Sequence, residues 1–137
     1  MLEIKQAKIN KYPDRYIDNG KGIIIDSFSN IMWQQDHSSE CLSLTHSIHY
    51  AETCDLGGYT DWRLPGESEL NLLSVWVFNN SEFANLIFII RPGVFWTGTS
   101  YQDEPEYNTV VSFEPKCTHI LHKDYSLAWV RLIRINN

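Results

Sequence analysis

One nine-residue segment, GGYTDWRLP at residues 57–65, constrains the fold of this 137-residue chain more than any other. Paired glycines end a preceding helix readily, because glycine adopts the positive φ angles of helix C-terminal turns. Pro65 then fixes the exit of the segment into the next element. Between the two we expect Trp62 in the core, with Asp61 and Arg63 forming a partly buried ion pair that organises the turn.

The patterns on both sides of this segment predict two helices. Apolar residues at helical spacing predict a first helix over residues 44–56. A second helix is predicted to begin just after Gly66, with its inward face formed by Leu70, Leu73 and Val77.

Short β-branched and apolar runs predict strands before and after the helices, at residues 23–25, 31–33, 94–97, 109–113, 118–121 and 128–135. Residues 1–12 could add an edge strand, and the Asn-Gly pair at residues 19–20 predicts a tight turn. Residues 83–90 fit a helix or a strand equally well. Strands at both ends and helices between them predict an α+β fold with an antiparallel sheet.

The totals predict a single domain over residues 1–137 and restrict its partners. The net charge of −6 disfavours nucleic acid, anionic membranes and sulfated polysaccharides. An odd count of three cysteines without a CxxC pair does not describe a disulfide framework. Neither the first residues nor the longest apolar run, residues 86–90, resembles a signal or spanning segment. We therefore expect a cytoplasmic protein as the chain stands, or a secreted or surface-exposed one if a leader has been removed.

Four sequence blocks resemble one family in order along the chain. They are RYIDNG at residues 15–20 with IMWQ at 31–34, the string GGYTDWRLP with its following Glu69-Leu70, FWTGTS at 95–100, and VRLIR at 130–134. The chain is thus similar to the DUF1566, or Lcl C-terminal-like, family over about residues 15–134. The resemblance implies a C-type-lectin-like fold. In such a fold the first and last strands pair, two helices flank a small sheet, and a long irregular loop region carries the binding surface.

The chain departs from this family at two positions. Members often carry cysteines in the first helix and in the closing strand, where this chain has Ala51 and Leu132. The resemblance implies that the two cysteines form a disulfide that this chain lacks, as expected in a reducing compartment. Alternatively, a divergent core fills the same space with apolar side chains.

The loop region over residues 96–108 contains the candidate ligand-binding residues. Tyrosines that could stack on a sugar flank several carboxylates, and Glu-Pro-Glu at residues 104–106 faintly resembles the calcium motif of true C-type lectins. The alternative is a solvated acidic loop, because no second calcium motif accompanies it. The candidates are Trp96, Tyr101, Asp103, Glu104, Glu106, Tyr107 and Asn108.

Two histidine-containing groups are weaker candidates for metal binding. Cys117 and His119 would share one face of a strand, and a turn could bring His122 round to complete a zinc site. His46 and His49 lie one helical turn apart without an acidic partner. In both cases incidental surface residues are the alternative, and we expect no bound metal or cofactor.

Three functional hypotheses follow from these patterns. The first is a non-catalytic domain that binds carbohydrate or a protein surface through residues 96–108, because no nucleophile elbow, phosphate loop or HExxH motif is present. The second is an intracellular interaction protein or accessory subunit that could act as a homo-oligomer. The third is a metal-dependent enzyme built on Cys117.

Overall fold

The computed structural model describes residues 15–113 and 116–136, which form an α+β fold. The described residues form three α-helices, α1 (Leu44–Thr53), α2 (Glu67–Asn79) and α3 (Ser81–Ile87), and a short 3-10 turn at Leu56–Gly58. The strands are β1 (Tyr16–Asp18), β2 (Ile23–Asp26), β3 (Ile31–Gln34), β4 (Val94–Ser100), β5 (Tyr107–Phe113), β6 (Lys116–His122) and β7 (Ile133–Ile135).

The first sheet is antiparallel, in the order β1-β2-β3-β7. The predicted turn joins β1 to β2, and the side chain of Asn19 accepts the backbone N–H groups of Lys21 and Ile23. β7 adds to the free edge of β3, with Trp33 opposite Ile133. Among the described strands, β7 pairs with β3 and not with β1. The expectation that the first and last strands pair depends on the possible strand at residues 1–12, which lies outside the described residues.

The second sheet is antiparallel, in the order β4-β5-β6. Directly paired side chains in such a ladder lie on the same face of the sheet. Phe95 pairs with Val111 and forms what we call the α2 face, whereas Trp96 pairs with Val110 and forms the α1 face.

Each face of the second sheet belongs to a different core cluster. On the α2 face, Leu70, Leu73 and Trp76 pack in one cluster with Phe95 and Phe113, whose rings are stacked at 5.2 Å. The α1 face contributes to a second cluster that contains Leu44, Ala51, Trp62, Trp96 and Val110. Both clusters extend into the first sheet, through Ile24 and Trp33 in one and through Ile23 and Met32 in the other.

A buried arginine joins the end of β3 to the segment that follows α3. The fully buried guanidinium of Arg131 donates to the backbone carbonyls of Gln34, Gln35, Asp36 and Ile89. Burial lowers the pKa of Arg131 to about 10, so the side chain is charged at neutral pH. No carboxylate pairs with it among the described residues, and four peptide dipoles stabilise the charge in its place.

The structure confirms much of the helix prediction and corrects its limits. The second helix begins at Glu67, with Leu70, Leu73 and Val77 buried. The first helix is capped by Ser43 and ends at Thr53, earlier than residue 56, because the chain turns into the 3-10 segment. Residues 83–90, which fit either pattern, continue α3 to Ile87 and are extended after it.

Two predictions, one of a strand and one of an irregular region, need larger corrections. Of residues 128–135 only the last three form a regular strand, because residues 128–132 cross between the sheets and bond to several partners in turn. Residues 96–108 are not a long irregular region, because β4 and β5 take up most of it and leave only residues 101–106 as a turn. The possible edge strand at residues 1–12 lies outside the described residues.

Candidate ligand-binding pocket

A pocket of about 450 Å³ separates α1 from the α1 face of the second sheet. One wall is a single face of α1, formed by Leu44, Ile48 and Ala51 at helical spacing. The opposite wall follows the ends of β4 and β5 and the turn between them, at Gly98, Ser100, Pro105 and Asn108. We call this cavity the α1 pocket.

The motif at residues 57–65 forms the floor of the α1 pocket through Trp62, Arg63 and Leu64. Trp62 is buried and donates its Nε1–H to the carbonyl of Leu56 at 3.0 Å, which confirms the prediction that it is a core residue. Gly98 is held against the same segment by its N–H, which donates to the Pro65 carbonyl at 2.8 Å.

The backbone conformation and close surroundings of Gly57, the first of the paired glycines, require a residue without a side chain. Its φ is +69°, and a Cβ atom there would lie 2.7 Å from Cδ1 of Ile23. Any other residue would therefore be strained in conformation and would clash with the core below. The glycine turn lets the chain leave α1 and pass beneath the pocket.

The prediction of an ion pair between Asp61 and Arg63 is wrong, because each residue pairs with a different partner. Arg63 binds both carboxylate oxygens of Glu69, at 2.9 and 3.0 Å, and holds the pKa of Glu69 below its usual range. Asp61 accepts from Arg134 at 2.6 and 3.2 Å, and this lowers the pKa of Asp61. Side chains two residues apart in an extended segment lie on the same side of the chain, which is why the pair was expected. In the structure, Asp61 and Arg63 each pair instead with a residue of another segment.

The rim of the α1 pocket carries polar groups of different availability. Arg63 is neutralised by Glu69, whereas Glu52 and Lys123 have no ion-pair partner among the described residues. Asn108 is only 4% exposed and donates its Nδ2–H to the Thr97 carbonyl at 2.7 Å. No described residue donates to its Oδ1, so this buried residue presents a free acceptor to the pocket.

The structure places the seven candidate binding residues in different environments, some at the pocket and some away from it. Asn108 lines the pocket, and Asp103, Glu104 and Glu106 are exposed in the turn that also contributes Pro105 to its wall. Tyr101, in the same turn, is half-buried, and its N–H donates to the carbonyl of Tyr107 at 3.1 Å.

Two aromatic candidates are directed elsewhere. Tyr107 lies on the α2 face opposite His122, because it is one residue removed from Asn108 in a strand. Trp96 is fully buried and donates its Nε1–H to the Leu42 carbonyl at 2.7 Å. It has no surface to offer a ligand, and its place among the candidates is corrected to that of a core residue.

The structure separates the proposed zinc ligands. Cys117 pairs with Ser112 and His119 with Val110, so both point to the α1 face, whereas His122 pairs with Tyr107 on the other face. His122 also lies within β6, so no turn brings it back to the other two. His46 and His49 are both exposed on α1, and His46 Nδ1 lies 3.2 Å from the Ser43 hydroxyl. No group of three potential metal ligands occurs among the described residues.

Sequence reasoning missed several pocket residues, namely Ile48, Glu52, Gly98, Ser100 and Lys123. Of these residues, Ile48 could have been found from the sequence, because it lies on the apolar face of α1. In the structure its side chain is 45% exposed, because the pocket lies above it. Ala51 and Leu132, the positions where the family often has cysteine, are both buried in the second core cluster.

Comparison with known families identifies the chain. Residues 22–134 match the Lcl C-terminal domain. The chain belongs to the Lcl C-terminal domain family. The match includes α1, the pocket floor and every strand from β2 onward except the end of β7. A comparison with curated proteins gave no match. Among the described residues of this family member, no helix has the length and apolar character needed to cross a membrane.

Proposed function

We propose that this chain is a non-catalytic recognition domain that binds a segment of a protein partner in the α1 pocket. The observation that supports the proposal most strongly is the pocket itself, about 450 Å³ with mainly apolar walls. Ligand sites in proteins are typically concave, apolar and of this size, with a few polar groups that fix orientation. A C-type-lectin-like arrangement of the fold is part of the same proposal, supported by family membership and by helices flanking short antiparallel sheets.

The walls favour a protein segment over carbohydrate. Sugar sites use exposed aromatic faces and many hydrogen-bonding groups, but the aromatic residue among the described lining residues, Trp62, is 4% exposed and already hydrogen-bonded. The aliphatic side chains of Leu44, Ile48 and Leu64 are better suited to a partner's apolar side chain.

The lining also favours binding over catalysis. The described lining residues include no cysteine and no histidine, and no base hydrogen-bonds to the hydroxyl of Ser100. A serine nucleophile requires such a base within hydrogen-bond reach.

Selection from a library of random dodecapeptides on the immobilised protein tests the proposal. We expect enriched peptides to bind the unaltered protein and to lose about tenfold or more in affinity for Ile48→Ser, which makes one wall of the pocket polar. Leu86→Ser is the matched control, since Leu86 is an exposed leucine of α3 outside the pocket. It should keep full affinity.

Two results would overturn the proposal. Peptides that bind Ile48→Ser as well as the unaltered protein would show that the pocket is not the site. Binding only to members of a glycan array would replace the protein partner by a sugar. A native mass spectrum in which the protein is dimeric and Ile48→Ser is monomeric would identify the partner as a second copy of the chain.

A further inference from the structure

The rim of the α1 pocket carries an excess of unpaired negative charge. Glu52 lines the pocket, and Asp103, Glu104 and Glu106 are exposed in the turn around Pro105. None of these four carboxylates has an ion-pair partner among the described residues. The unpaired cation at the rim is Lys123, because the second one, Arg63, is neutralised by Glu69.

These charges lie at both ends of the apolar wall. The backbone carbonyl of Lys123 accepts the N–H of Leu44, and the N–H of Lys123 donates to the backbone carbonyl of Glu106, so the acidic turn adjoins the first residue of α1. Glu52 lies eight residues further along α1, which at 1.5 Å per residue is about 12 Å away. An extended peptide covers that distance with about four residues.

A second group points to a ligand with hydrogen-bond donors. Asn108 is 96% buried and its Nδ2–H is bound to Thr97, so its free Oδ1 cannot be satisfied by rotating the amide without losing that bond. No described residue donates to this oxygen, so a backbone N–H of a peptide bound in the pocket can do so.

We propose that the α1 pocket binds a cationic peptide segment, in which one apolar side chain enters the pocket and flanking Lys or Arg residues meet Glu52 and the carboxylates of residues 103–106. This inference rests on the proposed recognition function and names the chemistry of the partner. The apolar wall supplies the anchor, Asn108 accepts from the peptide backbone, and the acidic ends select the charge. The chain's net charge of −6 favours the same partners at longer range.

A pair of capped heptapeptides tests the charge preference, with a central leucine flanked by three residues on each side that are all lysine or all glutamate. Titration followed by fluorescence anisotropy should show the lysine peptide binding at least about tenfold more tightly, and its affinity should fall as salt increases. Replacing the leucine by serine should abolish binding of the lysine peptide, since the anchor is lost.

Protein variants provide matched controls for the same titration. Glu52→Lys should weaken the lysine peptide about tenfold and Glu104→Gln about threefold. Glu40→Lys and Glu40→Gln are the controls, because Glu40 is exposed, has no ion-pair partner among the described residues and does not line the pocket. They should change the affinity by less than about twofold.

The outcomes separate this inference from the proposed function. Equal binding of the two peptides, tighter binding of the glutamate peptide, or no binding of either overturns the charge preference. The proposed function then still stands if library peptides lose affinity for Ile48→Ser, and falls if they do not.

Discussion

The two faces of the second sheet are covered by helices in different ways. On the α2 face, α2 packs directly on Phe95, Val111 and Phe113, and the cavity beside Phe113 measures about 170 Å³. On the α1 face, α1 stands off and leaves a pocket of about 450 Å³ whose wall includes the half-exposed Ile48. The first arrangement maximises burial, whereas the second leaves apolar surface in contact with water, which is unfavourable unless a ligand covers it.

This difference implies a division between stability and recognition. Buried residues of the two core clusters, together with Arg131, should control the free energy of unfolding. Exposed residues that line the α1 pocket, such as Ile48 and Glu52, should affect affinity with little effect on folding.

Arg131→Met should cause the largest loss, about 4 kcal/mol in the free energy of unfolding measured by urea denaturation. Four backbone carbonyls lose their donor, and apolar packing of the methionine does not replace it. Arg91→Met is the control, since Arg91 is exposed and stacks on Trp129, and should cost less than about 1 kcal/mol. Equal effects of the two variants would contradict the stabilising role assigned to the Arg131 hydrogen bonds.

Two tryptophans provide a matched pair across the sheet. Trp96→Phe loses the hydrogen bond to Leu42, whereas Trp76→Phe removes a buried N–H that has no acceptor among the described residues. Both lose similar volume, so we expect Trp96→Phe to be less stable by about 2 kcal/mol. A larger loss for Trp76→Phe in chemical denaturation would show that packing against Tyr16 and Phe88 outweighs the hydrogen bond.

The Glu69 ion pair predicts a smaller effect that depends on pH. Arg63 lowers the pKa of Glu69 below its ordinary 4.5 in the folded state, so the pair stabilises the protein above about pH 4.5 and this contribution is lost as the pH falls through the folded-state pKa. Glu69→Gln should therefore cost about 1 kcal/mol near neutral pH, and the difference from the unaltered protein should shrink below about pH 4.5.

Glu67→Gln is the control for this pH dependence. Glu67 lies in the same first turn of α2 but has no ion-pair partner among the described residues. Thermal unfolding across the acid range should show no narrowing of its difference from the unaltered protein. A Glu69→Gln difference that stays constant with pH would contradict a stabilising contribution from the charge of Glu69.

The sequence predicted features that depend on neighbouring residues. The Asn19 turn, the inward face of α2 and the burial of Trp62 follow from local φ preference and periodicity, and the structure confirms them. The local sequence pattern also indicated the acidic turn at residues 103–106. The family resemblance, carried by spaced motifs rather than by composition, is confirmed by the match over residues 22–134.

Features that depend on distant residues were not predictable in the same way. Arg134 binds Asp61, 73 positions away, so nothing near Asp61 indicates that Arg63 will pair with Glu69 instead. The pocket likewise combines α1 with the ends of β4 and β5, and only the folded chain shows that Asn108 faces it while Tyr107 points away. Residues 128–132 have the composition of a strand, but their partners lie in two sheets.

Mapping of backbone amide shifts by ¹⁵N NMR with the lysine–leucine heptapeptide tests the division between the two faces most directly. We expect shifts to concentrate at Ile48, Gly98 and Ser100, around the α1 pocket, and Leu72 and Phe78, which are exposed on α2, to be unaffected. Shifts concentrated on α2, with the amides of the pocket unchanged, would contradict this expectation.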